Sequence, residues 1–169
     1  MSETMQLNLR AAGAPATPAG TERGKFLTFS LVGEDFAVAI ASIKEVIQYS
    51  GLTFVPLMPE AIRGVINLRG SVVPVVDLAV RFGRSPTQVH RRTCIVILEL
   101  VQNEARTVLG ILVDQVREVL EIAREEMEPA PAFGSRLPPD FIQNVGKVAG
   151  KFVLILDVDH ALSVVDLAV

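Results

Sequence analysis

The sequence predicts a mainly-β protein made of two related small β units, of the barrel or sandwich kind. Short runs rich in Val, Ile, Leu and Phe alternate with turn signals at close spacing, the pattern of all-β architectures with short strands. No βαβ alternation interrupts them. A stretch of the first half also recurs, weakly but in order, in the second half.

The elements follow in chain order. Residues 1–24, "MSETMQLNLRAAGAPATPAGTERG", are rich in Ala, Gly, Pro and Thr and read as a flexible tail ahead of one domain over 25–169. "KFLTFSLVGEDFAVAI" (25–40) is a hairpin with Gly-Glu-Asp as its turn. "ASIKEVIQY" (41–49) is short for a helix and suggests one helical turn leading into a strand. "GLTFVPLMP" (51–59) reads as a strand running into a loop, punctuated by Pro56 and Pro59. "GVINLRGSVVPVV" (64–76) is a second hairpin with Arg69-Gly70 at its tip. "RTCIVILEL" and "RTVLGILVD" form a third across "VQNEA", and "REVLEI" follows. A proline-rich link, "EPAPAFGSRLPPD" (128–140), precedes a buried-type strand, "KFVLILDV" (151–158), and a tail with helical potential.

The echo places "FAVAIASIKEVI" (36–47) on "LGILVDQVREVL" (109–120) at an offset of 73, so that Glu45-Val46 falls on Glu118-Val119. It places "RGSVVPVVDL" (69–78) on "AGKFVLILDV" (149–158) at an offset of 80. Two related units in tandem is the simple account. Glycine recurs at both tips, as a tight turn with positive φ requires. Asp77 recurs as Asp157, each at the end of a strand and before a short helix, as a capping carboxylate would be. Arg69 does not recur, because Ala149 stands in its place. The turn therefore does not need an arginine, and Arg69 is either a solvated charge at a hairpin tip or a contact for another molecule.

Composition narrows the function. The chain has 169 residues, half of them hydrophobic, with a net charge of −3. Its mean hydropathy is +0.42, enough to fill a core and leave apolar surface for partners. The acidic balance argues against nucleic acid, which selects a basic face. One cysteine, Cys94, allows no disulfide framework and suits a reducing compartment. No apolar run approaches the roughly 20 residues of a spanning helix, and the N-terminus lacks a secretory signal, so a cytoplasmic location without membrane insertion is expected.

Catalytic chemistry finds little support. "GVINLRG" is no dinucleotide fingerprint, and no phosphate-binding GxxxxGK[ST] occurs. His90 lies in a polar loop. Cys94 sits inside a strand and reads as a small core residue. Asp157, Asp159 and His160 are close in sequence, but a metal site needs further converging ligands, so neither metal nor cofactor is expected. Glu45 and Glu118, flanked by valines, fit solvent-facing positions on half-buried elements as well as paired carboxylates. An arginine set among apolar groups and no reaction centre describe a binding module.

The order "FLTFSLVGEDFAVAI…IKEV…VPLMPEAIRGVINLRGSVVPVVDL…RF", then "CIVILEL…VLGILVDQVREVL…PAP", resembles the CheW-like family of bacterial chemotaxis coupling proteins, from about Phe26 to the end. "IRGVINLRGSVVPVVDL" is its most specific part. CheW-like domains also occur in CheA kinases and in CheV, but 169 residues leave no room for a kinase or receiver, which favours a stand-alone adaptor. The resemblance implies two SH3-like five-stranded β-barrel subdomains, intertwined and packed along a hydrophobic seam. It implies a scaffold without catalysis. Its partners would be the cytoplasmic tip of methyl-accepting chemoreceptors and the regulatory domain of a CheA-type histidine kinase, in arrays at the membrane. A scaffold for a pilus- or biofilm-type kinase pathway is the alternative. Carried over by position, the receptor-facing groove would comprise Ile43, Glu45, Gly64, Val65, Asn67, Leu68, Arg69, Gly70 and Val119. The kinase surfaces would lie at the outer ends of the barrels.

Overall fold

The computed structural model describes residues 4–5, 23–102, 104–129, 141–148 and 150–162. Its strands are β1 (Thr4–Met5), β2 (Arg23–Leu31), β3 (Glu34–Ala39), β4 (Ile43–Gln48), β5 (Ile62–Leu68), β6 (Ser71–Asp77), β7 (Cys94–Gln102), β8 (Ala105–Val113), β9 (Gln115–Ala123), β10 (Met127–Pro129), β11 (Ile142–Val148) and β12 (Lys151–Leu156). Two four-residue helices, α1 (Leu78–Arg81) and α2 (Val158–Ala161), follow β6 and β12, and 3₁₀ turns cover Ile40–Ser42 and Arg124–Glu126.

The strands form two sheets, ordered β1-β4-β7-β8-β6-β5 and β10-β11-β12-β3-β2-β9. Leaving out β1 and β10, one order maps onto the other under the internal repeat: β4 onto β9, β7 onto β2, β8 onto β3, β6 onto β12 and β5 onto β11. The two parallel pairings, β6 with β8 and β12 with β3, correspond as well. The units are therefore not in tandem. Each barrel joins the first hairpin of one repeat to the later strands of the other, because the chain changes sheets after β3 and again after β8. The 3₁₀ turn at Ile40–Ser42 makes the first crossing, and this is the single helical turn expected before β4.

Packing follows the same symmetry. The interior of one barrel collects Val73, Val75 and Leu112 with Ile47 and Leu68. The other collects Val153, Ile155, Leu120, Val148 and Ala39. These are equivalent positions at offsets of 80 and 73, so the echo read from the sequence is an echo of barrel interiors. Between the barrels lies a larger cluster fed by strands of both sheets, including Leu27, Phe36, Ile43, Val46, Leu98 and Ile111. Phe29, Phe36, Phe82 and Phe141 run through this seam with successive ring centroids 5.6–5.8 Å apart, within the preferred range for aromatic pairs.

Several expectations are corrected. The first hairpin turns at Val32-Gly33, both at positive φ, and Glu34-Asp35 open β3. Residues 51–59 form no strand; Thr53 alone makes a bridge, to Val65. β11 is a strand although its sequence, IQNVGKV, is largely polar, because it pairs on both sides, with β10 and β12. Thr4–Met5, within the segment read as a tail, pair with Val46 and Ile47 of β4. The rest of that reading up to residue 22, most of the proline-rich link (130–140) and the end of the chain (163–169) lie outside the described residues.

Candidate partner-docking site

The β5–β6 hairpin closes in two residues, Arg69 (φ 52°) and Gly70 (φ 88°). Positive φ at both positions matches the right-handed twist of the flanking strands. Gly70 takes that conformation freely, and its N–H donates to Asn67 Oδ1 at 2.8 Å. Arg69 carries a side chain into the left-handed region, which costs energy for any residue with a Cβ.

That conformation sets the guanidinium against Glu45. Arg69 Nη1 donates to Glu45 Oε1 at 2.5 Å and Nη2 to Oε2 at 3.1 Å, a two-pronged carboxylate clamp. The sequence reading set the Arg69 guanidinium in solvent and left Glu45 open between a solvent-facing and a paired carboxylate. Arg69 is indeed exposed, with 68% of its side chain accessible, but it is paired, and Glu45 is buried at 9%. The hydrogen bond to Glu45, then its charge, push the arginine's pKa further up against a small opposing effect of burial, so the group is always charged. Glu45 lies on β4 and Arg69 at the tip beyond β5, strands at opposite ends of the five-strand order β4-β7-β8-β6-β5. The ion pair therefore joins the two ends of a curled sheet. It is invisible to local pattern, since the residues are 24 positions apart.

Beneath the tip, Gly64 is set by a close approach. A Cβ there would lie 2.6 Å from the Thr53 carbonyl oxygen. That carbonyl accepts from Val65 N–H at 2.9 Å, and Thr53 N–H donates to Val65 O at 2.9 Å. Val65 and Leu68 are half-buried, and Asn67 is exposed. Ile43 is buried in the seam. Val119 belongs to the other barrel, on β9 opposite Leu27 of β2, and packs against the same seam cluster. Of the nine residues carried over from the resemblance, the structure thus gathers six on one hairpin, clamps Glu45 to its tip, and sets Ile43 and Val119 along the seam.

The base of the hairpin is anchored by Asp77, whose side chain is wholly buried. It caps α1 through Ala79 N–H at 3.0 Å, as the sequence suggested. It also accepts from Thr87 N–H and Thr87 Oγ1, each at 2.8 Å, and from Arg63 Nη1 of β5 at 2.7 Å. The equivalent aspartates share a backbone bond: Asp77 N–H donates to Ala61 O, and Asp157 N–H to Phe141 O.

Sequence reasoning did not single out the exposed apolar residues. Phe54 is 75% exposed and Leu57 91%, the latter at φ 66°, on the loop before β5. Val72 (70%) and Phe152 (60%) stand at equivalent positions, 80 residues apart, on the two hairpins. Phe54 ahead of Pro56 and Leu57 between Pro56 and Pro59 in "TFVPLMP" were the available signal. Cys94 is buried in the seam cluster, as expected. His90 is exposed, and its Nδ1 accepts from Arg92 N–H at 3.1 Å. Among the described residues no three potential ligands converge on a metal-binding geometry, and no helix is long and apolar enough to cross a membrane.

Comparison with known proteins adds a third line. Residues 25–166 match the model of the CheW-like domain. The chemotaxis protein CheW of Klebsiella aerogenes is 31% identical over 144 residues, covering 85% of this chain and 84% of that protein. Chemotaxis protein CheW of Thermotoga maritima is 31% identical over 142 residues, 80% of this chain and 85% of that one. The protein PilI of Pseudomonas aeruginosa is 25% identical over 129 residues, 76% and 67%. Among solved structures, the scaffolding protein TtCheW from Thermoanaerobacter tengcongensis superposes with a TM-score of 0.74 at 30% identity, covering 84% of this chain and 94% of that one.

Proposed function

The chain belongs to the CheW-like family of non-enzymatic scaffolds, and from that premise we propose that it couples methyl-accepting chemoreceptors to a CheA-type histidine kinase. The observation that carries the reading is the extent of the family match, which runs from β2 through α2. Both barrels, the seam and the Arg69 hairpin are therefore part of it.

In this reading the cytoplasmic receptor tip, an α-helical hairpin, lays an apolar stripe along Val65, Leu68 and Val119. Ile43 and Gly64, both buried, shape the surface below. Asn67, Arg69 and Gly70 form the polar end of the groove. There the clamped guanidinium presents its remaining donors to a receptor carboxylate or to backbone carbonyls. Glu45 holds it in place, so the cost of ordering a long side chain is met before docking. The kinase regulatory domain abuts the outer barrel ends. A pilus- or biofilm-type pathway would use the same fold and groove. The higher identity to the CheW proteins of Klebsiella aerogenes and Thermotoga maritima, 31% each, than to PilI, 25%, supports the chemotaxis assignment.

The test is a pull-down from lysate of the source organism, read by mass spectrometry, with the tagged protein beside two variants. Arg69→Glu sets a carboxylate against Glu45. Arg69→Asn removes the guanidinium while suiting the positive φ. Recovery of a CheA-type kinase and chemoreceptors, with receptors depleted in both variants, supports the assignment. Recovery of neither partner by the wild type refutes it, and undiminished receptors with both variants refute the role of Arg69.

A further inference from the structure

The seam has a second opening that involves none of the nine groove residues. It is a cavity of about 260 Å³ lined by Gln48 at the end of β4, Arg91 and Arg92 before β7, Cys94 on β7, and Gln115 and Val116 at the start of β9. Its walls come from both barrels. Two arginines and two glutamines are among its lining residues, and no acidic residue is. Arg63, Arg69, Arg106 and Arg117 each meet an acidic side chain. Arg91 and Arg92 are exposed, and among the described residues neither forms an ion pair.

Their backbone is pinned. Gln48 Nε2 donates to Arg91 O at 3.3 Å, and the Cys94 thiol donates to Arg92 O at 3.4 Å. Burial pushes the Cys94 thiol's pKa up, against a weaker backbone hydrogen bond, so the thiol stays neutral and brings no negative charge to the cavity. Adjacent like charges repel, and this pair stands uncompensated in a chain of net charge −3.

We propose that this cavity binds a side-chain carboxylate of an acidic peptide segment on a docking partner. The guanidinium fork matches a carboxylate with two parallel hydrogen bonds, and Gln48 and Gln115 offer further donors beside it. The volume lies just below the range of small-molecule sites, about 300–1,000 Å³, and suits one acidic side chain. An anion would offset the repulsion between the two exposed arginines. The inference goes beyond the adaptor reading, because the cavity can be examined with no receptor or kinase present.

The experiment is a titration of the ¹⁵N-labelled full chain with N-acetyl-hexaglutamate amide, followed by NMR. Hexaglutamine and inorganic phosphate are run separately. The expected result is saturable shifts at Gln48, Arg91, Arg92 and Gln115, absent with hexaglutamine. The Arg91→Gln/Arg92→Gln double variant, its fold verified by the same spectrum, should bind at least about tenfold more weakly. Raising salt from about 50 to about 200 mM should weaken binding several-fold. Shifts that persist in the double variant, that scatter over the surface, or that are absent at millimolar peptide overturn the proposal. Phosphate acting on the same residues at lower concentration than the peptide also overturns it, by replacing the carboxylate as the ligand.

Discussion

Replacing Asp77 by alanine removes one side chain from four donors at once. Thr87 is buried at 7%, so its N–H and hydroxyl would lose their acceptor without gaining water. Stranding a buried polar group costs about 1–3 kcal/mol, and losing a helix cap about 1 kcal/mol. Arg63 keeps 30% of its side chain in solvent, so its charge is partly rehydrated and adds little. The sum is roughly 3–7 kcal/mol, a large part of the roughly 5–15 kcal/mol that holds a typical domain folded. At about 2–4 °C per kcal/mol for a chain of this size, the melting temperature should fall by at least roughly 6 °C and by as much as roughly 28 °C. Urea unfolding followed by circular dichroism measures this directly. Asp77→Asn, which keeps the shape and one oxygen, should fall between the two. If Asp77→Ala unfolds within about 1 kcal/mol of wild type, the buried network is not what anchors β5, α1 and the Thr87 loop to one another.

Other consequences are open to direct measurement. Gly64→Ala would drive a methyl into the Thr53 carbonyl, 2.6 Å away, at a cost of about 1–3 kcal/mol; the Val65 amide, bonded to that carbonyl, should exchange with deuterium faster in the variant. A fragment ending before Cys94 holds only one repeat and completes neither barrel, so each half alone should lack a cooperative melt, while the two mixed together should regain one. The buried Cys94 has its thiol pKa raised chiefly by desolvation, so the folded state favours the neutral thiol. Its contribution to stability is complete below the pKa of an unfolded thiol and is lost as pH climbs through the higher folded value. Denaturation midpoints should therefore decline on the alkaline side more in wild type than in Cys94→Ser.

The hairpins around Arg69-Gly70 and between β7 and β8 were legible because their determinants are local: a glycine or a polar tip between runs of β-formers. Asp77 was legible as a cap for the same reason, since it precedes α1. Its bonds to Thr87 and Arg63 were not, because they join residues 10 and 14 positions apart. The repeat was visible in the pattern, whereas its interleaving came only from the family resemblance. That arrangement depends on the parallel pairings of β6 with β8 and β3 with β12, which leave no trace in periodicity. β11 was missed because its strand state comes from neighbours on both sides rather than from its own polar composition. At the candidate site, the motif gave the hairpin, and only the fold showed that Arg69 is held by a buried Glu45.

The most direct measurement is co-sedimentation of a purified CheA-type kinase with receptor-containing membranes, with and without this chain, alongside the kinase's autophosphorylation rate. Coupling predicts that the kinase pellets with the membranes, and that its rate responds to receptor ligand, only when the chain is present, and that Arg69→Asn loses both effects while remaining folded. A kinase that partitions and turns over identically whether or not the chain is added would contradict the account.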